Sequence, residues 1–405
     1  MAEPQQEQVA TKIPAGVWAI SSVSFFMQIS NSLVYSIFPV YQREVLGFSM
    51  LTLGLIEGIA HASMAFSRFI SGAFSDWLGK RKPLALTGYG LTMFTRAAIP
   101  LVRTPLEVVG IRFVERLGIG IRSAPRDALI ADHIPRNIAG ASYGLRHSLD
   151  RCGALIGPLL TMLFMFLLSN NYRIVFWIAV IPAVVSVIVL YIFVKDVPVS
   201  PAKRAQVKVR WKLSDLRSFG APLWWFIVVN LVMHLSYFSE AFLVLRASDA
   251  GLSSAYIPLV LAIQNLVIAS TAYPIGKFSD RIGRTKIVAL GFFLMIIAHL
   301  LLSVATTVWL ALFGAALWGL VRSARSVTNA IVSDLVPSNL RGSAFGVIQM
   351  SHGFAGLTTN IMAGYLWHTY SPELTYQVAA GVTAISLVLF LMWMRRYGHV
   401  LKKKH

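Results

Sequence analysis

The chain has 405 residues, of which 56% are hydrophobic and 13% charged, with a mean hydropathy of +0.66; a soluble protein carries roughly a quarter charged residues, so a water-exposed globular fold is excluded. Lys and Arg outnumber Asp and Glu by 36 to 17, a net charge of +19, which the basic bias of cytoplasmic membrane loops accounts for without a nucleic-acid partner. The single cysteine, Cys152, excludes an intramolecular disulfide, and its apolar surroundings point to a packing role.

Residues 1–15 are polar, and the apolar run that follows is too long for a signal-peptide core, so no cleaved leader is expected. From there, stretches of about 20 apolar residues recur, each long enough to cross a ~30 Å hydrocarbon layer. Their backbone groups must be satisfied within the segment, so the stretches are helices. They fall at 16–40, 51–74, 84–102, 106–130, 141–168 and 173–194, then at 222–246, 254–276, 286–304, 308–331, 343–366 and 375–394. The expected fold is all-α and integral to the membrane: twelve transmembrane helices arranged as two pseudo-symmetric six-helix bundles. Residues 1–194 and 222–405 form the bundles, and 195–221 the linker. The linker is rich in Lys, Arg and Pro and reads as a solvated tether on anionic headgroups or as a regulatory segment.

Basic residues mark one side. Lys12, Lys80–Lys82, Arg136, the 195–217 segment, Lys277, Arg281, Arg284, Lys286, Arg341 and the 395–405 tail share it, whereas the opposite loops hold Arg43, Arg103, Arg173 and Arg246. This asymmetry places both termini in the cytoplasm, the inner membrane of a bacterium being the expected location.

The two halves repeat each other. In SGAFSDWLGKRKPL (71–84) and IGKFSDRIGRTKIV (275–288), Gly72, Phe74, Ser75, Asp76, Gly79 and Lys82 match Gly276, Phe278, Ser279, Asp280, Gly283 and Lys286, 204 residues on. Asp132, Pro135, Asn137, Gly140 and Gly144 likewise match Asp334, Pro337, Asn339, Gly342 and Gly346, 202 residues on. Two ordered matches at nearly one spacing indicate duplicated bundles in the same orientation.

The fourth segment is anomalous for its charge: Arg112, Glu115, Arg116, Arg122, Arg126 and Asp127. Unpaired charges in a bilayer cost several kcal/mol, so these must pair, face the interior or line water. Arg112, Glu115, Arg122 and Arg126 form one stripe at helical spacing. The fifth segment answers with Arg146, His147, Asp150 and Arg151, and depth counting sets Asp150 level with Arg122 as an expected pair. Glu115 and Asp150, with Arg112 and Arg122, are the candidates for proton coupling; a purely structural salt-bridge network is the alternative. Glu57 and His61, one helical turn apart, read as coupling or packing residues. No phosphate-binding loop, metal-ligand cluster or nucleophile motif is present, so no metal, cofactor or enzymatic activity is expected, and a proton gradient is the expected energy source.

The loop from Gly72 to Lys82 resembles the G-x-x-x-D-x-x-G-R-[KR]-x-[KR] signature of the major facilitator superfamily, with Lys80 at its first Arg, and Gly276–Lys286 resembles it again. The run from Arg112 to Gly120 is similar to the family's R-F-x-Q-G-x-G-x-G, with Glu115 for Gln and Arg116 for Gly. Gly153–Pro158 is similar to the start of its antiporter motif, whose final glycine pair is here Thr161–Met162. The resemblance implies a secondary transporter working by alternating access, as a monomer, on a small molecule. Proton-coupled export leads; uptake of a small organic anion, or a non-transporting sensor on the same fold, are the alternatives. It also implies a central cavity lined by the first, fourth, seventh and tenth helices, with Gln28, Asn31, Tyr35, Arg116, His234, Tyr237, Glu240, Arg322 and Arg325 as candidate substrate contacts. A latch is implied at Gly72, Asp76, Gly79, Lys80, Lys82, Asp132, Gly276, Asp280, Gly283, Arg284 and Asp334. In it Asp76 would cap the eleventh helix near Gly342, Asp280 would cap the fifth near Gly140, and the basic residues would pair with Asp132 and Asp334. A tight turn with a topology signal is the alternative.

Overall fold

A computed structural model describes residues 13–78, 81–134, 138–196, 218–337 and 340–402, with the side chains at 69–78, 326 and 399–402 outside that description. Every anticipated segment coincides with a helix or a broken helix: α1 (Ala15–Tyr35), α2 (Met50–Leu78), α3 (Arg81–Ala98), α4 (Pro105–His133), α5 (Ala139–Leu167) and α6 (Tyr172–Phe193). The second series is α7a (Ala221–His234) with α7b (Glu240–Asp249), α8 (Leu259–Ile282), α9 (Arg284–Ser303), α10a (Val308–Ser323) with α10b (Arg325–Leu335), α11 (Arg341–Thr369) and α12 (Pro372–Lys402).

Among the described residues seven helices are long and apolar enough to cross a membrane: those beginning at Ala15, Met50, Ala139, Tyr172, Leu259, Arg284 and Pro372. Helix α4 has the length, 29 residues, but carries too much charge to face lipid. It begins with a capping box in which Thr104 and Glu107 exchange hydrogen bonds, satisfying the first unpaired N–H groups.

The expectation of continuous helices fails at three places. The first segment ends its regular helix at Tyr35 and continues as Phe38–Val40 and a π-helical turn, Tyr41–Val45. The tenth segment breaks at Ala324. The seventh breaks between His234 and Glu240, and α11 supplies the missing partners: Asn360 Oδ1 accepts from the Ser239 N–H at 2.7 Å and Thr359 Oγ1 donates to the Leu235 carbonyl at 2.6 Å. Ser239 Oγ also accepts from the Ala241 N–H at 3.3 Å, starting α7b. Neighbouring side chains that satisfy the freed backbone in this way allow a helix to be interrupted within a membrane.

Small residues permit the tightest packing. Gly153 and Gly157 of α5 lie against the Phe25–Ser32 backbone of α1, and Gly54 of α2 lies against the Asn360 carbonyl and Gly364 of α11. The pairs α2–α11 and α5–α8 join the two halves of the chain. Cys152 is exposed, not packed inside, although Gly153 and Ala154 beside it are buried.

The halves meet differently at the two ends. At the end opposite the basic loops, Arg43 pairs with Asp249 at 2.5 Å, and Glu44 accepts from Ser248 and Ser254, each at 3.4 Å. At the basic end a Cβ on Gly140, Gly144, Gly276 or Gly342 would meet no atom of the described residues within 4 Å. The halves are therefore held together at the Arg43 end.

Candidate functional site

Between the halves lies a cavity of about 560 Å³. Phe38, Pro39 and Phe238 bound it at the closed end, and it runs past Arg126 and Arg146 toward the basic end. All nine anticipated substrate contacts line it: Gln28, Asn31, Tyr35, Arg116, His234, Tyr237, Glu240, Arg322 and Arg325.

At its wall, α4 turns its charged stripe onto α1, α2 and α3. Arg112 pairs with Glu57 of α2 and, at 3.2 Å, with Glu115. Glu115 is fully buried, pairs with Arg96 of α3 and accepts from the Tyr35 hydroxyl. Arg96 also donates to Asn31 Oδ1 at 2.5 Å. The Tyr35 ring lies beneath three guanidinium groups, those of Arg112 at 4.5 Å, Arg96 at 4.8 Å and Arg116 at 5.3 Å from its centroid. The electron-rich face of the ring suits this, and two carboxylates offset most of the charge. Among the described residues Arg116 itself has only the Met64 sulfur as a hydrogen-bond acceptor, at 3.8 Å.

This cluster reaches across the cavity. Glu57 accepts a hydrogen bond of 2.8 Å from Ser239, in the break of the seventh helix. Glu57 is thus a member of the ion network and not merely a packing residue. Arg96 had no place in the expected site; the signal available was a lone cation in an otherwise apolar segment.

The expected Asp150–Arg122 pair does not form. Arg122 lies over the Tyr89 ring at 4.3 Å and donates to Thr92 at 3.5 Å, because its side chain turns toward α3 and away from α5. Asp150 lines the cavity instead, with Arg126, Arg146 and Arg151. Asp127 takes Arg126 at 3.0 Å and Arg146 at 3.5 Å. Across the cavity Arg322 pairs with Glu240, and the rings of His234 and His352 stack at 3.4 Å.

Charge is the dominant feature. The lining holds Arg68, Arg112, Arg116, Arg122, Arg126, Arg146, Arg151, Arg322 and Arg325 against three carboxylates, Glu57, Asp150 and Glu240. A concave surface of one sign focuses its field into the cavity and concentrates ions of the other sign there.

In the implied latch, Arg81 pairs with Asp132 and Arg284 with Asp334, the same contact in each half. Lys82 Nζ donates to the Tyr191 carbonyl at 2.7 Å. Gly283 has φ of +100°, where a side chain would be strained. Asp280, expected to cap the fifth helix near Gly140, lies 3.6 Å from Arg284 of its own half. Gly79, Lys80 and the side chains at 72 and 76 lie outside the described residues, so the Asp76 contact does too.

A sequence profile of the Major Facilitator Superfamily matches residues 20–263 and again 226–405. An uncharacterized MFS-type transporter of Methanocaldococcus jannaschii is 29% identical over 94% of this chain and 95% of its own. The multidrug resistance protein MdtG of Salmonella typhimurium is 22% identical over 90% of this chain and 92% of its own. Among solved structures, the nucleoside transporter NupG superposes with a TM-score of 0.78 at 13% identity, covering 94% of this chain and 99% of the other. A POT family transporter in complex with 5-aminolevulinic acid gives 0.77 at 15% identity, over 96% and 97%.

Proposed function

The chain belongs to the major facilitator superfamily, and from that premise we propose that it is a proton-coupled secondary transporter that exports a small organic anion by alternating access. The observation that carries the anion is the cavity: nine arginines and three carboxylates line it, and two of those carboxylates are already paired with Arg112 and Arg322. An anion entering that space replaces water around guanidinium groups with charge-assisted hydrogen bonds. Export is supported by the name of the MdtG relatives and by the partial antiporter motif at Gly153–Pro158.

In this reading residues 1–194 and 222–405 are the two rocking bundles, twelve spans in all, with both termini and the basic end in the cytoplasm. The closed end with Arg43–Asp249 is then the outer gate, and the basic end, toward which the cavity runs, the open cytoplasmic mouth. Arg81–Asp132 and Arg284–Asp334 brace each half for the latch. Asp150 and Glu57 carry the proton, since both face the cavity; Glu115, with no exposure and partners on three helices, holds the site together.

Flux from proteoliposomes loaded with a panel of labelled organic anions, cations and neutral solutes tests this. Efflux of an anion is expected, faster when the outside is acid. Asp150→Asn is expected to abolish that stimulation while sparing exchange without a gradient. Transport confined to cations or neutral solutes would overturn the anion, and pH-independent flux in the unaltered protein would overturn the coupling.

A further inference from the structure

A second, smaller cavity of about 80 Å³ opens from the main one within the C-terminal half. The two share His234, Tyr237, Arg322, Arg325 and His352 as a polar mouth. Behind that mouth the small cavity is mainly apolar, walled by Val288, Gly291, Phe292, Val321, Val332 and Ile348 from helices α9, α10a, α10b and α11, with Asn230, Thr328 and Asn329 as its polar members.

Gly291 is what leaves this space open. It is buried on α9 in the pocket wall, yet a Cβ there would meet no atom of the described residues within 4 Å. Buried helical positions are normally filled to close-packed density, and a mainly apolar space left unfilled accepts apolar guests. A space of this size holds a branched alkyl group of about four carbons, since a cavity of about 150 Å³ accommodates benzene.

Resting on the anion reading of the main cavity, we infer that the transported anion carries a short apolar end, which enters this pocket while its charged group is held at the mouth by Arg325. The substrate class is a small amphiphilic anion, such as a branched-chain carboxylate. Arg325 is suited to the charged end because, among the described residues, it forms no ion pair, whereas Arg322 is paired with Glu240.

The test is binding of two probes, acetate and 4-methylpentanoate, to the purified full-length chain in lipid nanodiscs, by calorimetry. Burying the alkyl group should make 4-methylpentanoate bind at least about tenfold tighter than acetate. Gly291→Leu fills the pocket and should erase that preference while leaving acetate unchanged; Gly291→Ala, which adds one methyl to open space, should reduce it partly. Arg325→Gln should weaken both probes. An undiminished preference in Gly291→Leu, or equal binding of the two acids by the unaltered chain, overturns the pocket. If neither acid binds but other anions are carried in the flux panel, the pocket fails alone; if no anion is carried, the anion reading fails with it.

Discussion

At the scale of single residues, the arginines decide the site. Arg96 is fully buried, and its pairing with Glu115 and Asn31 links α3, α4 and α1. Removing one partner of a buried pair leaves the other charge uncompensated, at a cost of about 3–5 kcal/mol. Arg96→Ala should therefore lower the thermal unfolding midpoint in detergent substantially, and Arg96→Ala with Glu115→Gln should recover part of the loss; a single variant as stable as the parent would refute the network. The charge of α4 was legible because a charged stripe cannot face lipid. Its partners were less so: the pairing of Arg112 with Glu57 and the turn of Arg122 toward Tyr89 depend on helix rotation, which spacing along one helix does not specify. Depth counting therefore misplaced Asp150.

At the scale of elements, hydropathy located every helix but missed the breaks. The seventh segment, Ala221–Asp249, is apolar enough to read as one helix, yet residues 235–239 leave the helix because Asn360 and Thr359 of α11 are positioned to receive their backbone groups. That offer comes from more than a hundred residues along the chain, so no local pattern announces it. Asn360→Ala leaves the buried Ser239 N–H without its acceptor, a loss of about 1–3 kcal/mol. Hydrogen exchange at 235–241 should rise selectively, with α12 unaffected; uniform change across the chain, or none, would count against a local role.

For the molecule as a whole, the question is which end is shut. Arg43 and Asp249 hold one end closed, and an exposed pair of this kind contributes only about 0.2–1 kcal/mol, enough to bias two states of similar energy without locking either. In a Cys152→Ser background, a cysteine introduced at Ser239 reports access from that end to a membrane-impermeant thiol reagent. Arg43→Glu, which sets like charges together, should raise its labelling rate about twofold to fivefold, and Arg43→Glu with Asp249→Arg should restore the original rate. Labelling indifferent to both changes would remove the pair from the gate.

The sequence by itself determined the membrane class, the helix positions, the duplication and the family, because these rest on hydrophobicity and on residues close together along the chain. It also pointed to the cavity-lining faces of the first, fourth, seventh and tenth helices. Only the tertiary structure decided which carboxylate meets which arginine, where helices break, which end is closed, and that Gly291 leaves a pocket behind Arg325. Each of those depends on how separate helices rotate and approach one another, and that geometry arises from packing between halves of the chain some two hundred residues apart.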